Sequence, residues 1–239
     1  IAEQYGPSEI RCVYINTKCQ YPTTVSLSEK RKIQLLELAE QYGFIVIEDD
    51  VDFESSLVKD KGESLFRKNA GQRVVYTGTF GRFLDPGFQM NFLIAPQDLL
   101  EEGKKYLNLF GKPNFMIEKT LGEIIHQGDI FRYQRKFQKI VAERKDIFAQ
   151  LLRKHFGDKI TFEVPVSGLA FWIRFNFSFS LTALQARAKE KGVLLPSNCL
   201  YQNRTIAALR LGFAHLDERE LGDAIQLLHE AYQELVGAV

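Results

Sequence analysis

The 239-residue sequence is 45% hydrophobic and 26% charged, with a formal net charge of +1. Such values describe a globular chain of one large or two modest domains, at about 150 residues per domain. They exclude an apolar membrane span, a disordered chain and the strongly basic footprint of a DNA-binding domain. No charged segment followed by an apolar one opens the chain, so it reads without a secretory signal.

Arg11–Ile15 is β-branched and aromatic, which predicts a strand. A polar turn follows, and then a helix. Ser26 and Glu29 have capping-box spacing, and Gly43 sits where a C-cap would. Ile33, Leu36, Ala39, Leu35, Leu38 and Tyr42 supply its apolar stripe. Phe44–Asp49 is an apolar run that predicts a strand buried on both faces of a parallel sheet. Strand, helix and strand make a βαβ unit. Residues 50–72 read as loop or short helices. RVVYTGTF from Arg73 and MNFLIAP from Met90 read as further strands.

Residues 113–156 read as helix with a break at Gly128. Leu121, Ile124, Phe137, Ile140, Phe148 and Leu152 mark the apolar face. Arg132, Arg135, Lys136, Lys139, Arg144 and Lys145 lie opposite, as a solvated basic face rather than a nucleic-acid surface. The last third reads as a smaller α+β unit. KITFEVP, GLAFWIRFN, GVLLP and AALRLGFA are its expected strands, Leu181–Lys191 a helix ended by Gly192, and Leu216–Leu235 a closing amphipathic helix. Trp172 is expected in the core. The domain reading is therefore 1–112, 113–156 and 157–239.

Cys12, Cys19 and Cys199 are an odd set without CxxC spacing, so they read as reduced thiols of a cytoplasmic protein. His126, His155, His215 and His229 form no HExxH motif and no close cluster with cysteine, and no metal is expected.

Three segments carry a resemblance, in order along the chain: YPTTVSLSEKRKIQLLELAEQYGFIVIEDDVDFE, VVYTGTFGRFLDPGFQMNFLIAP and ALRLGFAHLDERELGDAIQLL. They resemble the fold-type-I aminotransferase domain of GntR-family, MocR-type transcription regulators. The resemblance implies an α/β fold. Part of a large domain with a mainly parallel sheet would come first, and a smaller α+β domain would follow.

It also implies pyridoxal phosphate as cofactor and a set of site residues. A lysine should form the Schiff base, a carboxylate should hold the pyridine nitrogen, and donors should hold the phosphate. Asp49 matches the pyridinium aspartate, although a turn-capping role fits its position too. Val51 stands where the family has a ring-hydroxyl tyrosine. Thr79 matches a phosphate donor. Arg82 occupies the Schiff-base lysine position, where a permanently charged guanidinium cannot form an imine. It reads either as a strand-end surface arginine or as one pointing into an emptied or repurposed pocket. Gly81 replaces a serine donor and Gln89 a phosphate-binding arginine. Tyr21 and Pro22 match a turn near the cofactor ring, with Thr24 in place of a glycine. Arg210 matches the carboxylate-binding arginine, or else makes a structural ion pair within its apolar strand.

These departures lead to one expectation. The chain reads as a non-catalytic effector-binding or dimerisation domain, with a small anionic effector bound between Arg82 and Arg210. The alternative is a PLP-dependent aminotransferase acting on an amino acid. A homodimer is expected. DNA contact is expected only through a winged-helix domain outside this chain, which reads as a fragment short of its N-terminal portion.

Overall fold

The structure, a computed structural model, describes residues 9–51, 63–69, 72–80, 90–110 and 114–237. The chain divides into two units, Ile1–Tyr21 with Val25–Gln138, and Pro22–Thr24 with Lys139–Val239.

In the first unit, β1 (Cys12–Ile15), β2 (Ile45–Asp49), β3 (Val74–Phe80) and β4 (Met90–Ile94) form one sheet in that order. The first three strands are parallel and β4 is antiparallel to β3. Helix α1 (Glu29–Tyr42) is the crossover from β1 to β2. Its N-cap is Ser28, whose side chain accepts from the Arg31 N–H, and not the predicted Ser26. Ser26 is engaged elsewhere, donating to the Lys18 carbonyl at 2.6 Å. Gly43 closes the helix at φ 70°, the left-handed cap its residue type predicts.

Ala39, Phe44, Val46, Leu65 and Val74 form the core of this unit, with Val13, Ile15, Leu35 and Leu36 packed against them. Strand β2 is not buried on both faces as predicted. Val46 and Glu48 are buried, while Ile45, Ile47 and Asp49 are half-buried. Its apolar run reflects one core face and one partly covered face. In α1, Ile33 and Leu38 are exposed, so the apolar stripe is narrower than its sequence suggests. Gly78 lies opposite Phe92 across β3 and β4. A Cβ there would meet the Phe92 ring at 2.7 Å, so only glycine lets the strands close.

Helix α2 (Leu65–Lys68) is short. Helix α3 (Gln97–Phe110) was not predicted, because its sequence offers no apolar face that ends up buried. Helices α4 (Phe115–His126) and α5 (Asp129–Phe156) are separated at Gly128, φ 77°, as predicted. The basic face of α5 is only partly solvated. Arg144 donates to the Ala214 carbonyl, and Lys145 reaches the Pro165 carbonyl at 3.5 Å.

In the second unit, β5 (Ile160–Phe162), β6 (Ala170–Phe175), β7 (Leu200–Gln202) and β8 (Ala207–Gly212) form an antiparallel sheet ordered β5-β6-β8-β7. Helices α6 (Leu181–Glu190) and α7 (Glu218–Val236) complete it. Its core is aromatic: Phe148 meets Phe171 at 5.1 Å, and Phe175 meets Tyr232 at 5.4 Å. The predicted strand GVLLP is not one. Gly192 at φ 89° and Val193 close α6 through bonds to the Lys189 and Ala188 carbonyls, a Schellman cap that redirects the backbone. The strand forms later, as β7. Trp172 is half-buried rather than in the core, with Tyr201 edge-on at 4.9 Å. Asp217 and Glu220 form a reciprocal capping box that starts α7 after Leu216.

Candidate functional site

Open parallel sheets bind ligands outside the carboxyl ends of their strands. In the first unit, that edge carries three successive carboxylates with different fates. Glu48 is fully buried. It accepts from the Thr17 hydroxyl at 2.7 Å and from the Leu65 and Phe66 N–H groups at 3.0 and 3.1 Å. It thereby caps α2 from across the sheet. Asp50, also buried, is ion-paired with Lys18 and accepts from the Tyr76 hydroxyl at 2.7 Å. Burial, and after it the charge of Asp50 and the hydrogen bond to it, push the Tyr76 phenol well up. Tyr76 therefore remains a protonated donor.

Asp49 ends β2 on the opposite face and accepts a hydrogen bond from the Tyr14 hydroxyl. Tyr14 lies on β1 and is itself largely exposed. Thr79, on the same face of β3, donates to Asn91 Oδ1 at 2.7 Å. Val51 is half-buried and brings no donor. Tyr21 is exposed in the turn that Gln20 closes on the Val25 carbonyl at 2.9 Å. The site is thus dominated by acceptors already met by tyrosine and lysine. Sequence reasoning missed Tyr14, Lys18, Tyr76 and the cap made by Glu48. Strand alternation in RCVYI placed Tyr14 on a face, but its partner is set by the pairing of β1 with β2.

Thr24 has φ 59°, the one non-glycine residue at positive φ among those described. The backbone there requires what a glycine supplies without strain, and a β-branched residue takes it instead. Gly81, Arg82 and Gln89 lie outside the described residues.

Arg210 belongs to the second unit. It lies on β8 directly opposite Trp172 of β6. Residues opposite one another in an antiparallel pair share a face. Phe171, Ile173 and Phe175 fill the core face, so Trp172 and Arg210 occupy the other.

No family model matches the sequence. Curated relatives do. The chain is 24% identical over 228 residues to the probable rhizopine catabolism regulatory protein MocR of Rhizobium meliloti, covering 94% of this chain and 46% of that protein. It is 26% identical over 231 residues to aromatic-amino-acid aminotransferase 1 of Thermococcus litoralis, covering 95% of this chain and 55% of that one. Among solved structures, the multiple substrate aminotransferase of Thermococcus profundus superposes with TM-score 0.86 at 22% identity, over 96% of this chain and 58% of that one. The α-aminoadipate aminotransferase LysN of Thermus thermophilus does so with TM-score 0.84 at 21% identity, over 95% and 59%.

This is the fold-type-I aminotransferase fold. Its homologues include both MocR-type regulators and aminotransferases. The chain spans about half the length of the curated relatives it matches. Within the fold-type-I framework, β2 carries the matched carboxylate Asp49 and β8 the matched arginine Arg210.

Proposed function

We propose that this chain is the effector-binding and dimerisation part of a MocR-type transcription regulator, and that it does not turn over substrate. Arg82 carries the reading. It replaces the amine an aldehyde cofactor would need with a guanidinium that stays protonated.

The described residues fit a covalently held pyridoxal phosphate poorly. Asp49 already takes the Tyr14 hydroxyl, Thr79 gives its proton to Asn91, and Val51 has no donor where a phenol is expected. No step is therefore routed through that group. In this reading Arg210 grips the carboxylate of a small anionic effector, and DNA is contacted by a different domain of the same protein. The exposed Leu107, Leu109, Phe115 and Met116 of α3 and α4 support pairing with a second copy.

The second reading, an aminotransferase acting on an amino acid, is favoured by the retained Asp49 and Arg210 and by the enzyme relatives. Mixing with pyridoxal phosphate separates the two. The regulator reading expects no visible aldimine band and no borohydride-trapped lysine adduct, together with amino-acid binding that Arg210→Ala abolishes. A trapped adduct would overturn it.

A further inference from the structure

The sheet of the second unit has one face packed on helices and one face that carries charge. Ring contacts of Phe171 and Phe175 with Phe148 and Phe156 fix the packed face. Alternation then puts Trp172 and Arg174 of β6 on the other. Arg210 lies opposite Trp172, Ala208 opposite Arg174, and Tyr201 opposite Ala208. The 4.9 Å approach of the Trp172 and Tyr201 rings agrees with that placement. One face therefore presents two guanidinium side chains beside an aromatic pair.

The charge on this face is not balanced within the sheet. The strands ITF, AFWIRF, LYQ and AALRLG contain two arginines and no aspartate or glutamate. Arg174 is exposed and has no ion pair among the described residues. Arg174 and Arg210 are diagonal neighbours across β6 and β8, with side chains rooted about 7 Å apart. Their long stems lie on either side of the same tryptophan ring. A monocarboxylate leaves one of the two forks empty. A short linear dicarboxylate fills both, with its methylene chain laid on the aromatic surface.

We propose that the effector is a dicarboxylate, and that Arg174 is the residue selecting it over a monocarboxylate. This rests on the reading of Arg210 as the effector's carboxylate grip and adds the second grip. No property of the fold family supplies it, since the argument uses only the register of β6 against β8.

Trp172 is the only tryptophan, so its fluorescence reports on this face alone. Titration of the full chain with glutarate and with valerate, its chain-length-matched monocarboxylate, tests the proposal. Glutarate is expected to perturb the emission at about tenfold lower concentration, the increment of one charge-assisted contact. Arg174→Gln should erase that preference and leave the valerate response in place, with Arg174→Lys intermediate. Arg210→Gln should weaken both ligands.

Equal responses to glutarate and valerate, or an unchanged preference in Arg174→Gln, would overturn the role of Arg174 while leaving Arg210 as a carboxylate grip. Responses to both acids that persist in Arg210→Gln would sink the effector reading itself, as would silence to both. Displacement of glutarate by inorganic phosphate at equal concentration would reduce the face to a general anion site and also overturn the proposal.

Discussion

Thr24 shows how much one residue's backbone conformation constrains. A threonine at φ 59° places its branched Cβ against the backbone, and the left-handed region costs an L-residue roughly 1–2 kcal/mol. Its side chain is nevertheless buried. The strain exceeds the value of the few atoms a glycine would lose. Thr24→Gly is expected to raise stability by about 1 kcal/mol, seen as a higher urea midpoint with unchanged slope. A lower midpoint would mean that its packing outweighs the strain. At the same scale, Asp49 and Asp50 differ by one position and face opposite sides of the sheet, so Tyr14 engages one while Lys18 and Tyr76 engage the other. A motif read as a string of acids does not distinguish them. Alternation does, once a strand is placed in a sheet.

Elements in this protein are tied together by polar groups reaching across gaps in sequence. Helix α2 has only one turn, too short to be stable by itself. It persists because the carboxylate of Glu48 meets its first N–H groups from inside the core. Glu48→Ala would leave two amides and the Thr17 hydroxyl unmet in a buried place, at a cost of about 3 kcal/mol. Hydrogen exchange at Leu65 and Phe66 should accelerate far more than at Val74. Uniform acceleration would show that the loss is global and not specific to α2. Loss of the GVLLP strand follows the same logic. Its apolar residues are strand-like, but the preceding Gly192 makes a cap whose two backbone bonds consume Val193. Local turn chemistry overrides strand propensity there.

At the scale of the whole molecule, the second unit holds a pH-sensitive contact. His155 of α5 and His229 of α7 meet edge to face at 5.7 Å. Burial, and then the charge of His155, hold the His229 pKa below its ordinary value of 6.5, against an opposing pull from Glu230. The folded state therefore resists the proton that the unfolded chain accepts. The unfolded chain binds more protons in the window from 6.5 down to the folded pKa, so stability falls as the pH drops through it and the deficit stays constant below. Chemical denaturation at pH 7.5, 6.5 and 5.5 should show this loss in the wild type and a smaller one in His229→Gln. An identical pH dependence in both proteins would remove His229 as the source. No helix among the described residues is long and apolar enough to cross a membrane, in line with the composition. The sequence by itself determined the order of strands and helices, the βαβ crossover, the glycine caps at Gly43 and Gly128, and the resemblance that the fold bears out. Each of these depends on local periodicity or on residues close together in the chain. Only the tertiary structure decided that Glu48 caps α2, that Tyr14 occupies Asp49, and that Trp172, Arg174 and Arg210 share a face. Those facts depend on which strands pair and in what register, and pairing joins residues whose separation in sequence carries no periodic signal.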